Sequence, residues 1–166
     1  MPNGNSVEHI HGRYNAKRID TMMPYMLLRG IAEAQPFFER LERGEVSAYT
    51  SVLTFDELGY RLILALIKDR YAGSPLELLR DQEEKMLEEF APNVASLLKR
   101  LRGYTHLTVL DVLVSDLDVM NEVMPQYHFR PRDALHYAAM QRVGCLNLAS
   151  NDPDFDRIPT IERYTI

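Results

Sequence analysis

The sequence has one cysteine, no tryptophan and no long apolar run. Cys145 is the single thiol among 166 residues, which excludes an internal disulfide framework and metal sites built from several thiolates. The longest apolar stretch, Leu62–Ile67, is far shorter than the ~20 residues that a membrane span requires. The N-terminus is polar and lacks the apolar segment of a secretory signal peptide. These absences predict a cytoplasmic protein with no membrane segment.

The charge balance excludes a protein that coats nucleic acid by bulk charge. Lys and Arg number 19 against 24 Asp and Glu, which gives a net charge of −5 and a pI near 5.5. Coating nucleic acid requires the opposite sign of charge. An acidic protein is compatible with a nucleic-acid substrate if its carboxylates hold divalent cations, because the cations restore positive charge where a phosphate binds. The positions of the acids therefore matter more than their number.

Strand-like and helix-like segments alternate along the chain, without internal repeats. Residues 1–16 lack a hydrophobic period and are predicted to be a loosely ordered lead-in to a single domain over residues 17–166. Strands are predicted over residues 17–22, 46–50, 105–110, 145–149 and 160–166. Helices are predicted over residues 24–29, 31–43, 52–69, 76–90 (ending near Pro92), 94–102, 112–124 and 131–143. This alternation predicts an α/β fold with a mostly parallel sheet, and the helices between residues 73 and 103 look like an elaboration of it.

Acidic side chains recur just beyond the predicted strands, where ligands bind in an open parallel sheet. Brought together, such like charges would raise one another's pKa values unless cations intervene. A carboxylate cluster selects a hard ion such as Mg²⁺ or Mn²⁺, and that combination suits hydrolysis of a phosphodiester. The four acids concerned are Asp20, Glu57, Asp133 and Asp152, and two further acids, Asp154 and Asp156, follow the last of them.

Each acid also has a local structural explanation. Thr54 and Glu57 fit the T-x-x-E pattern of a capping box. Asp133 falls in the first turn of a predicted helix, where the helix dipole stabilises a carboxylate by ~0.3–1 kcal/mol. Asp152 precedes a proline as an N-cap residue does, and Asp20 fits a turn. The two interpretations are compatible, because the N-terminus of a helix that follows a strand already lies at the crevice.

Four segments, taken in chain order, resemble the PIN domain. The most specific are the D-A-x-H pattern at Asp133–His136 and the N-D-x-D-F pattern at Asn151–Phe155. Within the family the closest likeness is to the VapC-type toxins of prokaryotic toxin–antitoxin pairs, and it extends over nearly the whole chain from about Arg18. The four segments are Asp20-Thr21, TSVLTFDEL (50–58), RPRDALHYAAM (130–140) and SNDPDFD (150–156).

The resemblance implies a PIN-like three-layer α/β/α fold and a ribonuclease that depends on Mg²⁺ or Mn²⁺. Toxin members of the family cut RNA, are held inactive by a cognate antitoxin protein and usually form dimers. The expected function is therefore a metal-dependent endoribonuclease, with RNA, an antitoxin and a second copy of the chain as partners. By the same resemblance Asp20, Glu57, Asp133 and Asp152 match the four acidic site positions, and Asp156 is an additional candidate metal ligand.

Two departures from the family pattern support an alternative function. Met22 stands where the family usually has asparagine, and polar residues precede Asp20 where the family usually has an apolar strand. The alternative is a catalytically weak PIN-like module that binds RNA or a protein partner. A dehalogenase-like phosphatase is disfavoured, because the Asp116-x-Asp118 pair falls inside a predicted helix and does not follow a strand.

Several other polar residues carry weaker signals. His9 and His11 are interpreted as incidental, and Cys145 as structural. His136 is predicted to pack or to form hydrogen bonds, because carboxylate sites favour hard ions that do not need imidazole. Thr21 and Ser51 are candidates either for bonding a ligand carboxylate or for helix capping. The candidates for contacts with substrate phosphates are Lys17, Arg18, Arg130 and Arg132.

Overall fold

A computed structural model describes residues 16–165 of the chain, and this part forms a five-stranded, fully parallel sheet with seven α-helices. The predicted lead-in lies outside the described residues apart from Ala16, as do His9 and His11. The strands, in the spatial order β3-β2-β1-β4-β5, are β1 (Ala16–Ile19), β2 (Ser47–Ser51), β3 (Leu107–Leu110), β4 (Asn147–Ala149) and β5 (Glu162–Tyr164). The helices are α1 (Met22–Leu28), α2 (Gln35–Glu42), α3 (Val52–Arg70), α4 (Pro75–Asp81), α5 (Glu83–Arg102), α6 (Asp116–Tyr127) and α7 (Pro131–Arg142).

Helices cover both faces of the sheet, which confirms the predicted three-layer α/β/α fold. Successive residues of a strand point to opposite faces, and β4 illustrates this. Leu148 packs with buried side chains of α6 and α7, whereas Ala149 packs with those of α1, α2, α3 and α5. Because both faces are buried, the strands need side chains that suit an apolar environment on either side.

The C-terminal half of α3 forms a helical extension with α4 and α5. Ile67, Met86 and Phe90 are buried in its core. The prediction that a helix ends near Pro92 is wrong, because α5 continues through this residue to Arg102. An interior proline costs a helix about 3 kcal/mol. Here the cost is offset because Phe90 and Val94, four residues apart on one helix face, are both buried while Pro92 itself is exposed.

Other element boundaries differ from the predictions for local reasons. The predicted helix over residues 76–90 is divided at Gln82 between α4 and α5. The first strand ends at Ile19, and not at residue 22, because α1 already begins there. The predicted helix over residues 112–124 begins only at Asp116, whose buried carboxylate accepts a hydrogen bond from the Leu113 N–H at 2.9 Å.

The carboxyl ends of the central strands are fixed to one another by backbone hydrogen bonds. The Asp20 N–H donates to the Ala149 carbonyl at 3.1 Å, immediately after β1 and β4. The residues that follow these two strands are therefore neighbours at one edge of the sheet. Among the described residues, no helix combines the length and apolar character needed to cross a membrane.

Candidate active site

A cavity of about 720 Å³ opens at the carboxyl ends of β1, β2 and β4. Its position matches the crevice at which ligands bind in parallel α/β sheets. The four acids predicted from the sequence all line it, and they are Asp20, Glu57, Asp133 and Asp152.

A buried serine connects two of these acids. The Ser150 hydroxyl donates to Asp20 Oδ2 at 2.7 Å, and its oxygen accepts the Asp152 N–H at 3.0 Å. The other oxygen of Asp20 accepts the Thr21 N–H at 2.6 Å. Ser150 thus holds together the segments that follow β1 and β4. Sequence reasoning gave Ser150 no role, although its position directly after a buried strand was the available signal.

Glu57 is not the capping-box residue that its spacing from Thr54 suggests. Helix α3 begins at Val52, so Thr54 lies inside the helix, and its buried hydroxyl has no hydrogen-bond partner among the described residues. Glu57 instead faces the cavity from the second turn. Its Oε2 accepts the Thr21 hydroxyl at 2.5 Å, and its Oε1 accepts His136 Nε2–H at 3.2 Å. Of the two roles considered for the Thr21 side chain, the structure shows the bond to a carboxylate and no capping bond.

A chain of hydrogen bonds from a buried arginine through a histidine orients Glu57. Arg18 is 2% exposed and donates to the His136 carbonyl at 3.2 Å and to His136 Nδ1. Because a guanidinium can only donate, Nδ1 is the acceptor and the imidazole proton lies on Nε2, facing Glu57. Ser51 Oγ lies 3.2 Å from the same Nδ1. The hydrogen-bonding role predicted for His136 is confirmed, whereas a phosphate contact for Arg18 is wrong because this side chain is buried.

The charges of Glu57, His136 and Arg18 follow from their surroundings. Burial raises the pKa of Glu57, but hydrogen bonds from His136 and Thr21 and the nearby Arg132 outweigh it and lower the pKa to about 2. Burial and the adjacent Arg18 lower the pKa of His136. Burial lowers the pKa of Arg18 to about 10, so the guanidinium stays charged at neutral pH. At pH 7, Arg18 is thus a cation, His136 a neutral imidazole and Glu57 a carboxylate.

Asp133, Asp152 and Asp154 form a close cluster of carboxylates. One oxygen from each of Asp133, Asp152 and Asp154 lies within 4.8 Å of the other two. Burial, followed by the charges of Asp152 and Glu57, raises the pKa of Asp133 to about 6. Three oxygen donors at this spacing fit a hard divalent cation such as Mg²⁺ or Mn²⁺, and such a cation would relieve their repulsion.

Two acids differ from their sequence-based assignments. The sequence indicates Asp154 only as a neighbour of Asp152, yet its carboxylate lies close to those of Asp133 and Asp152. Asp154 belongs to the short 3₁₀ helix at Pro153–Arg157, and its N–H donates to Asp152 Oδ1 at 2.9 Å. Asp156, the additional candidate ligand, is not among the cavity-lining residues. Both of its oxygens accept hydrogen bonds from Arg163 at 2.7 Å.

Three arginines line the same cavity. Arg132 donates to Asp56 at 3.1 Å and lies 3.5 Å from Glu57. Arg61 and Arg130 are exposed and form no salt bridge with any described residue. The cavity therefore combines clustered carboxylates with two arginines that form no salt bridge among the described residues, of which Arg130 acts on Asp133 through its charge.

A family model for the PIN domain matches residues 19–161, and the chain therefore belongs to the PIN domain family. A search of curated protein sequences found no significant match.

Solved structures with the same fold include toxin–antitoxin proteins. The chain is similar to VapBC2 from Rickettsia felis bound to a DNA fragment from its promoter, with 14% identity, a TM-score of 0.53 and coverage of 90% of this chain and 98% of that one. A toxin–antitoxin complex from Klebsiella pneumoniae has 16% identity and a TM-score of 0.55, with coverage of 90% of this chain and 99% of that one. VapC20 from Mycobacterium tuberculosis, a Sarcin–Ricin loop cleaving toxin, has 17% identity and a TM-score of 0.54, with coverage of 84% of this chain and 92% of that one. At these identities the similarity establishes the fold.

Proposed function

We propose that this protein is a metal-dependent endoribonuclease and the toxin of a toxin–antitoxin pair. The observation that carries the proposal is the convergence of Asp133, Asp152 and Asp154 within 4.8 Å. The first two of these acids line a cavity that Asp20 and Glu57 also line. Membership of the PIN family and the shared fold with VapC-type toxins support it.

In this proposal the acids divide into metal ligands and a positioning carboxylate. Asp20, Asp133, Asp152 and Asp154 hold one or two Mg²⁺ or Mn²⁺ ions. A bound divalent ion would polarise the phosphodiester and lower the pKa of a bound water. Asp156 is left out of the ligand set, because Arg163 already occupies both of its oxygens.

Glu57 would direct the water that attacks phosphorus. Its pKa of about 2 keeps it ionised, and the hydrogen bonds from Thr21 and His136 fix the orientation of its carboxylate. An ionised, oriented carboxylate accepts a hydrogen bond from the water and aligns it opposite the leaving oxygen. No covalent enzyme intermediate is required.

An antitoxin protein and a second copy of the chain are the proposed partners. Two of the similar solved structures are described as a VapBC pair on promoter DNA and as a toxin–antitoxin complex, which supports an antitoxin here. A groove of about 470 Å³ between α1 and α3 shares Arg61 with the active-site cavity. An antitoxin segment in this groove would reach the active site. Inhibition of RNA cleavage by a co-purifying antitoxin tests this arrangement.

Cleavage of end-labelled RNA in MnCl₂ tests the enzyme. We expect Asp133→Asn and Asp152→Asn to lower the rate at least ~10²-fold, because each removes charge that holds the cation. Asp118→Asn, which alters an exposed acid of α6, is the matched control and keeps the wild-type rate. Rates of Asp133→Asn close to wild type would contradict the proposal.

The alternative of a catalytically weak RNA-binding or protein-binding module is favoured by Met22, which lines the cavity where the family usually has asparagine. Binding of Mn²⁺ without any RNA cleavage would support this alternative.

A further inference from the structure

An exposed aromatic ring lies on the wall of the active-site cavity. Tyr60 follows Glu57 by three residues on α3, so the two side chains project from the same side of the helix. Tyr60 is 51% exposed and lines the cavity, and its side chain makes no hydrogen bond or ring contact with another described residue. About half of this large side chain is therefore left uncovered by the protein. An aromatic ring that faces a cavity of this kind is available to a ligand.

Unpaired positive charge flanks the ring. Arg61 is the next residue of α3, and Arg130 precedes α7 on the cavity wall. Neither forms a salt bridge among the described residues, in contrast to Arg132, which is held by Asp56 and Glu57. Both guanidinium groups are exposed and can bind anions, although Arg130 lies near enough to Asp133 for its charge to lower the pKa of that acid. An aromatic platform beside cationic side chains is the combination that binds single-stranded nucleic acid, through base stacking and phosphate contacts.

We infer that Tyr60 is a base-stacking residue that binds one unpaired nucleobase of the RNA beside the hydrolysed bond, while Arg61 and Arg130 contact flanking phosphates. The inference rests on the proposed function and assigns the side chains of this chain that bind an unpaired segment of the RNA. The faces of bases in an A-form duplex are covered by their neighbours, so a duplex cannot offer a face to Tyr60. Stacking on tyrosine also tolerates any base, so Tyr60 does not set a sequence preference.

A fluorescent base tests the stacking directly. The probe is a single-stranded oligoribonucleotide of about ten nucleotides that contains 2-aminopurine, whose fluorescence falls when the base stacks on an aromatic ring. Binding is measured in the Asp133→Asn background, which prevents cleavage during the titration. Tyr60→Leu removes the ring, and Tyr60→Phe retains it. Leu76→Ala removes an equally exposed apolar side chain from α4 and controls for the loss of surface area.

We expect Tyr60→Leu to weaken binding at least about fivefold and to abolish the fluorescence change, because stacking contributes about 1–3 kcal/mol per base. Tyr60→Phe and Leu76→Ala should bind as the parent does, and the annealed duplex should bind weakly to every variant. Equal binding by Tyr60→Leu and Tyr60→Phe, tight binding of the duplex, or no binding of the single strand would each overturn the inference.

The proposed function and the stacking role fail in different ways. If wild-type protein cleaves RNA in MnCl₂ and Tyr60→Leu cleaves and binds equally well, the stacking role is wrong and the ribonuclease stands. If wild-type protein cleaves no RNA but the probe still stacks on Tyr60, the ribonuclease is wrong and the stacking role stands.

Discussion

At the scale of the residue, Asp133 is held where its protonated form is favoured. The pKa of Asp133 in the folded protein is about 6, because burial and the neighbouring Asp152 and Glu57 disfavour its charge. An unfolded chain has an Asp pKa of about 3.9. Between about pH 4 and pH 6 the folded state therefore binds more protons than the unfolded state. It follows that the contribution of Asp133 to the free energy of unfolding falls as the pH rises through this window.

Removing this charge should stabilise the metal-free protein. In EDTA at about pH 7.5 we expect Asp133→Asn to raise the free energy of unfolding by about 1 kcal/mol, after allowance for solvent screening of a half-exposed group. The gain should disappear at about pH 4, where Asp133 is already protonated in the folded state. Thermal unfolding at the two pH values measures both effects, with Asp118→Asn as the control. A loss of stability at the higher pH would show that Asp133 is a structural residue.

The second residue-scale prediction concerns the proton on His136. Because Arg18 donates to Nδ1, we expect a neutral imidazole with its proton on Nε2 at pH 7. The lowered pKa means that His136 should also stay neutral as the pH falls slightly below its usual range near 6.5. Long-range ¹H–¹⁵N correlation spectra distinguish the two tautomers and the imidazolium. Detection of the Nδ1–H tautomer or of an imidazolium at pH 7 would contradict the described hydrogen bonds.

At the scale of the element, the proline inside α5 gives a prediction about stability. Pro92 has no N–H to donate to the preceding turn, and its exposed ring contributes little to the core. Pro92→Ala should therefore raise the free energy of unfolding by about 1 kcal/mol or more, although greater freedom of the unfolded chain reduces the gain. Urea unfolding measures the change, and RNA cleavage should be unaltered because α5 contributes no side chain to the cavity. A lower stability of Pro92→Ala would mean that the proline rigidifies a needed kink.

The elements also show how far the sequence predicts this fold. Each predicted strand overlaps an observed one, and the apolar strands β3 and β4 do so because short apolar runs bounded by turn residues are local signals. The course of α5 through Pro92 was not predicted, because it depends on burial of Phe90 and Val94 against distant segments. The polar strand β1 depends likewise on tertiary contacts, since Arg18 is accommodated only through its hydrogen bonds to His136.

The candidate site was predictable in part for the same reason. Asp20 follows β1 directly and Asp152 is the third residue after β4, so the topology of a parallel sheet brings them to one edge. The role of Ser150 and the membership of Asp154 in the carboxylate cluster require the three-dimensional arrangement of two segments far apart in sequence. The interpretation of Glu57 as a cap failed because α3 starts three residues before the start that the T-x-x-E pattern implies.

At the scale of the whole molecule, a net charge of −5 gives the protein no general attraction for RNA. In the proposed function, binding of RNA therefore depends on local positive charge in the cavity, which exposed arginines and metal ions on the carboxylates would supply. The central claim is therefore that the acids which converge in this cavity form a divalent-metal site.

Thermal unfolding with and without MnCl₂, on wild-type protein and on Asp133→Asn, tests this claim most directly. A ligand at 100 times its Kd adds about 2.7 kcal/mol to the free energy of unfolding, which is several degrees for a chain of this length. We expect MnCl₂ to raise the Tm of wild-type protein by this amount and to leave that of Asp133→Asn nearly unchanged. Equal shifts for the two proteins, or no shift for either, would contradict a metal site at these carboxylates.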